Sequence, residues 1–244
     1  MPMRILCLHG WGTNVKILQT QIGKQGHIND HDTINLGNMK EKTESCPGPL
    51  MRELERDHSA NFHFIEGNID AEPGPGVEGF YDGPYYSYYK FPRSFEDSEE
   101  SMLEAYEMLY DVIDEDGSFD GALGFSHGGT LISGFLIHHA KTRPYDPPPF
   151  RCAIFLNSLP PFRMHPGGKP HIDDGLDGYL NIHTVSIVGK KDFVYEYSLA
   201  LHHLCNPSMS SLVMHKNGHD VPRDPANVSV MARAVRKMFT EAAY

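Results

Sequence analysis

Ser126 stands between two glycines in the stretch GALGFSHGG, just where an apolar run ends. A serine hydroxyl is a poor nucleophile until a neighbouring base takes its proton. The motif therefore has chemical meaning only if the chain also provides that base, a carboxylate to orient it, and donors for an oxyanion. The G-x-S-x-G spacing suits a sharp turn from strand to helix, in which side chains at Gly124 or Gly128 would collide with neighbouring backbone. Two further stretches complete a candidate set. Asp192 lies just past the apolar run of IHTVSIVGKKD, and His219 lies in the polar end of SLVMHKNGHDVP. With Ser126 as nucleophile, His219 as general base and Asp192 as its orienting acid, the chemistry is acyl transfer to water, with no metal or organic cofactor. One oxyanion donor is expected at the His127 N–H. The other is expected from the first loop, CLHGWGTN, at the Trp11 N–H, with Gly12 as the alternative.

The rival residues read less well. His215 is the one competing base, but it belongs to an apolar run rather than to the loop after it. Asp173, Asp174 and Asp177 cluster in a Gly-rich stretch before the run that leads to Asp192, on the wrong side for the acid. Asp220 adjoins His219, so its side chain points elsewhere. The pairs His138-His139 and His202-His203 fall in helical patterns and read as surface or interface residues.

Short apolar runs at 3–8, 61–66, 119–125, 151–156, 182–188 and 211–216 must position these groups. They do not alternate, which suits strands of a parallel sheet buried on both faces. Helical patterns separate them. The longest, SFEDSEESMLEAYEMLYDVIDEDG, carries Met102, Leu103, Tyr106, Leu109, Tyr110 and Ile113 at helical spacing, with Ser94 and Asp97 as a capping box. Alternating strands and helices predict an α/β fold with a mostly parallel central sheet and helices on both faces. In α/β-hydrolases the triad runs serine, acid, histidine along the chain, the order found here. Asp192 and His219 also fall at the carboxyl ends of strands, where such sheets bind ligands.

Two stretches break the rhythm. Residues 24–48 are polar and nearly aperiodic, and Val15, Leu18 and Ile22 run in helical register into Leu50, Met51 and Leu54 if they are cut out. They read as a poorly ordered insertion looped out of a helix, within a single domain spanning 1–244. Residues 72–95, rich in Gly, Pro and aromatics, read as a functional loop. Its Phe80, Tyr81, Tyr85, Tyr86, Tyr88, Tyr89 and Phe91 either wall an acyl pocket or pin the loop to the body. Pro160, Phe162 and Val194 are further candidate substrate contacts.

The formal charge of −11 argues against nucleic acid as partner, because phosphate binding rests on clustered cations. No apolar run approaches a membrane span and the opening stretch is not a signal peptide. The four cysteines lack metal or redox spacing. A cytoplasmic protein is expected.

The set LHGWGTN, FDGALGFSHGG, GKKDFV and NGHDVP, together with EGFYDGPYYSYY, resembles the FSH-type serine hydrolases, a fungal branch of the α/β-hydrolase fold. The resemblance covers most of the chain. It implies a compact domain without a large cap, and Ser126, Asp192 and His219 as the triad. It implies a carboxylesterase acting on short acyl esters, or a thioesterase releasing polyketide-type acyl chains from a carrier protein in secondary metabolism. His127 and Gly129 stand where many relatives carry Gln and Ala. An acyl carrier protein is usually acidic, and Arg163, Lys169, Lys190 and Lys191 are candidate docking cations, unless they are ordinary solvated loop residues. Acyltransfer through the same triad, and ligand binding without catalysis, are the alternative readings.

Overall fold

The structure, a computed structural model, describes residues 1–22 and 49–243. The expected insertion at 24–48 lies outside the described residues. Six strands form one parallel sheet: β1 (Met3–Leu8), β2 (Ala60–Ile65), β5 (Gly121–Phe125), β6 (Cys152–Leu156), β9 (His183–Gly189) and β10 (Ser210–His215). Their order across the sheet is β10-β9-β6-β5-β1-β2. All six match the apolar runs of the sequence within one or two residues.

Alternation along the inner strands explains why their runs are apolar throughout, whereas the edge strands β2 and β10 expose Asn61, His63 and Met214. Successive side chains of a strand point to opposite faces. Ile5, Cys7, Leu123, Phe125, Ile154 and Leu156 therefore enter one core cluster, with α1 (Val15–Gln21), α2 (Pro49–Arg56) and α6 (Pro225–Ala242). Leu6, Leu8, Ala122, Ala153 and Phe155 enter the other, with α3 (Glu100–Asp116), α4 (His127–Thr142) and α5 (Tyr195–Leu204). Helices thus cover both faces, each set burying its own side of the sheet. Leu18, Ile22, Leu50, Met51 and Leu54 share the first cluster. Asn14 caps α1 by accepting from the Ile17 N–H, and Asp224 caps α6 with Pro225 at its first turn.

Among the described residues, the remaining strands form two small ribbons. One pairs β3 (Ile69–Asp70) with β4 (Tyr86–Ser87), and the other pairs β7 (Phe162–Met164) with β8 (Pro170–Ile172), both antiparallel. The second ribbon occupies the segment after β6, and charge fixes it in place. Buried Arg93 donates to Asp173 at 2.7 Å, Arg163 lies 3.5 Å from Asp173, and Arg163 also pairs with Glu99.

Two expectations fail here. The Ser94–Asp97 pair does not cap the long helix, which begins at Glu100 with no side-chain cap. Ser94 N and Oγ instead donate to Asp97 Oδ2 at 2.7 and 2.9 Å, closing a turn before it, while Lys90 pairs with Asp97. His139 is buried rather than superficial, because its ring lies 2.9 Å from Tyr110 Oη and 3.1 Å from the Pro147 carbonyl.

Candidate active site

Ser126 sits between β5 and α4 with φ 51° and ψ −115°. Few side-chain-bearing residues adopt such angles, and strain of this kind persists only where the surroundings over-determine it. The glycines around it show how. A Cβ on Gly124 would lie 2.3 Å from Gly129 N, and one on Gly128 would lie 2.4 Å from Leu8 O. Strand, helix and first strand are packed too closely at the elbow for any side chain there. Gly129 is equally confined: its Cβ would fall 2.0 Å from Ser158 Oγ, which donates to the Gly124 and Leu156 carbonyls.

Asp192 and His219, the candidate acid and base, lie just past the carboxyl ends of β9 and β10. His219 Nδ1 is 2.8 Å from Asp192 Oδ2, and Asp192 Oδ1 accepts the Val194 N–H at 2.9 Å. Both oxygens of a carboxylate with no exposed side-chain surface are therefore engaged. The two loops are laced together by backbone, with Lys190 N donating to His215 O and Lys191 N to Asn217 O. At Gly189 the chains approach so closely that a Cβ would lie 2.2 Å from Gly218 O. His219 packs between the rings of Phe125 and Phe193 at 5.0 and 4.7 Å. Ser126 Oγ has no hydrogen-bond partner among the described residues; in unliganded sites that contact often tightens only with substrate.

Asn157, which sequence reasoning passed over, ties the acid turn to the base loop. At the end of β6, with φ 46°, it accepts the Gly189 N–H at 2.9 Å and donates to Asp220 O at 2.9 Å. Its signal in the sequence was an amide directly after an apolar run, a residue type tolerant of left-handed backbone.

The Gly12 N–H donates to Tyr86 O, which removes the alternative oxyanion donor. The Trp11 and His127 N–H groups donate to no partner among the described residues. The His127 imidazole, next in the chain after Ser126, is fully buried, 3.1 Å from Ser87 Oγ and packed on Tyr89 and Phe91 at 4.5 and 4.2 Å. Burial, with His9 nearby, pushes its pKa well below the ordinary histidine value, so it is neutral. His215 is also buried and its pKa lowered by burial; it lies behind the loop, not in the cavity.

A cavity of about 1000 Å³ opens over Ser126 and His219, at the upper end of the usual range for ligand pockets. Tyr81, Phe162 and Val194 line it, as do Trp11 and Phe91. Tyr85 and Pro160 do not: Tyr85 Oη donates to Tyr81 O and so braces its neighbour, and Pro160 is buried. Of the loop aromatics, Tyr88 and Tyr89 are buried in the core and Phe80 is exposed, so the loop is partly wall and partly anchor. Lys169, Lys190 and Lys191 are exposed, but Arg163 is already paired with Glu99 and Asp173.

A parallel sheet whose carboxyl edge carries a serine on a strand–helix elbow, with an acid–histidine pair on the next loops, defines an α/β-hydrolase. Solved structures share that fold. Carboxylesterases from Mesorhizobium loti and Bacillus cereus superpose with TM-scores of 0.55 and 0.54 at 16% and 15% identity, over 96% and 99% of this chain and 88% of each of theirs. The chain belongs to the serine hydrolase (FSH1) family, whose match spans residues 1–231. Its relatives include hydrolase phiM of Talaromyces stipitatus, 37% identical over 98% of this chain and 88% of that protein. Esterase FPY3 of Fusarium mangiferae is 32% identical over 98% of both chains. No helix among the described residues is long and apolar enough to cross a membrane.

Proposed function

We propose that this serine hydrolase cleaves acyl esters or thioesters through Ser126, His219 and Asp192. The observation that carries the reading is the 2.8 Å His219–Asp192 contact in the cavity that Ser126 enters from its strained elbow. Ser126 Oγ attacks the acyl carbonyl while His219 Nε2 takes its proton, and Asp192 holds the imidazole with Nδ1–H toward itself. The oxyanion accepts from the Trp11 and His127 N–H groups; losing one such donor costs about 10²–10³ in rate. His219 then protonates the leaving alcohol or thiol, and water releases the acyl-enzyme by the same steps. The name of esterase FPY3 supports an esterase reading, and that of hydrolase phiM supports a hydrolase.

The substrate is a small-molecule acyl ester or a carrier-bound acyl thioester, the latter suiting release of a polyketide-type chain in fungal secondary metabolism. Free, buried Cys7, Cys152 and Cys205 suit a reducing cytoplasm. The test is labelling by a fluorophosphonate probe. Wild type is expected to label and Ser126→Ala not to; labelling that persists in the folded variant would remove Ser126 as nucleophile.

A further inference from the structure

A helix that connects parallel strands runs back along the sheet, so its first turn lies at the carboxyl edge, where the cavity is. α6 follows β10 and α2 leads into β2, and both present their first turns to that edge. Between them lies a groove of about 620 Å³. Its apolar lining is Pro49, Pro225 and Val228, and its cations are Arg52, Arg56 and Arg223, all exposed. One carboxylate, Glu53, also lines it, held by Arg56 and Arg236 at 2.7 and 3.2 Å. Asp224, next to Arg223, is turned onto Asn227, accepting its N–H at 3.1 Å and its side-chain amide at 2.7 Å. Arg223 also lines the catalytic cavity, so groove and cavity meet at a cation. Lys169, Lys190 and Lys191 line neither.

The groove stands out against the charge of the rest of the chain, which has 32 acidic and 21 basic residues. On the other face of the sheet, α3 carries seven carboxylates and neither Lys nor Arg. α6 carries three cations and one carboxylate. An acidic protein is therefore repelled from the α3 face and drawn toward the groove, because like charges brought together select against that orientation. An apolar strip bordered by charge is also the usual anatomy of a protein interface.

We infer that the α2–α6 groove docks an acidic carrier protein that delivers the acyl thioester. Arg52 and Arg56 meet its carboxylates, and Arg223 stands where the phosphate of its arm passes into the cavity. The inference rests on Ser126 as the thioester-cleaving nucleophile and adds the partner to that reading.

The experiment compares kcat/KM for a hexanoyl group on an isolated acidic acyl carrier protein with its phosphopantetheine arm, on coenzyme A, and on N-acetylcysteamine. Wild type, Arg52→Glu, Arg56→Glu and Lys141→Glu are assayed, each checked for folding by its melting temperature. Lys141 is exposed on α4, across the sheet, and its reversal changes the net charge equally. At low salt, wild type is expected to favour the carrier over N-acetylcysteamine by about tenfold or more, with coenzyme A between them. Salt at roughly 0.5 M should remove most of that preference. Arg52→Glu and Arg56→Glu should each lower the carrier rate by about fivefold and leave N-acetylcysteamine unchanged, whereas Lys141→Glu should alter neither. A carrier no better than coenzyme A would overturn the groove and leave the hydrolase reading intact. So would a preference that survives in folded Arg52→Glu and Arg56→Glu, or that falls equally in Lys141→Glu. Salt- and Arg52-dependent binding of the hexanoyl carrier by a wild type that cleaves no ester or thioester would instead overturn the hydrolase reading and keep the groove.

Discussion

Asp192 has no spare oxygen: one accepts from Val194 N–H and the other faces His219 Nδ1. Asp192→Asn keeps the shape but must turn an amide NH₂ toward one of those two donors. The expected result is a fall in kcat of about 10³–10⁴ with little change in KM, read from steady-state ester hydrolysis. Asn157 acts one step further out. Asn157→Ala leaves the Gly189 N–H and Asp220 carbonyl without their partner and puts a less tolerant residue at φ 46°. Each lost buried hydrogen bond costs about 1–3 kcal/mol, and the drop should appear in kcat more than in KM, because the acid–base pair shifts while the cavity wall does not. His127 gives a pH signature. Its pKa in the fold is lowered, so unfolded chains bind the extra proton first as pH falls. Stability is unaffected above the unfolded histidine value of about 6.5 and declines below it, by up to about 1.4 kcal/mol per pH unit for this group. His127→Gln should flatten the decline of melting temperature between pH 7 and 5 by that share; an unchanged slope would mean the ring is not a buried neutral group.

The elbow is where element geometry becomes chemistry, and Gly128 is the point at which it presses on the backbone of β1. Gly128→Ala would drive a methyl into the Leu8 and His9 carbonyls, neither of which can yield without moving β1. A loss of about 2–3 kcal/mol is expected, or about 5–10 °C in melting temperature for a chain of this size, measured by calorimetry. The same crowding explains what was readable beforehand. The inner strands β1, β5, β6 and β9, buried on both faces, produce unbroken apolar runs, the edge strands β2 and β10 produce shorter ones, and the residues that follow strands at one edge, Ser126, Asp192 and His219, were therefore locatable. The ribbon β7–β8 was not, because its strands are three residues long and partly exposed, too short for any periodicity to register. Long-range polar capture was equally hidden: nothing local says that Arg163 answers Glu99 and Asp173, or that Asp97 closes a turn with Ser94 instead of capping a helix. Tyr85 and Pro160 were misplaced for a related reason, since neighbours along a loop need not share a direction.

At the scale of the molecule, the ion cluster joins three distant stretches, 93–99, 163 and 173, behind the wall of the cavity. Arg93 is the buried member, so Asp173→Asn leaves a guanidinium short of its counter-charge. A cost of about 3 kcal/mol is expected, with KM for long-chain esters rising more than for acetate as the ribbon loosens. Equal effects on both esters would mean the cluster supports the body of the protein rather than the cavity. The strand order has another consequence, which concerns the order of synthesis. β1 is made well before β5, its neighbour in the sheet, and it lies inside that sheet, with Ile5 opposite Phe62 on one side and Gly121 on the other. Until residue 121 has left the ribosome, one whole edge of Leu6, Cys7 and Leu8 stays unpaired. A nascent chain carries an open, sticky strand from the synthesis of β1 until that of β5, and chaperone supply while it is being made should govern its yield more than its final stability does.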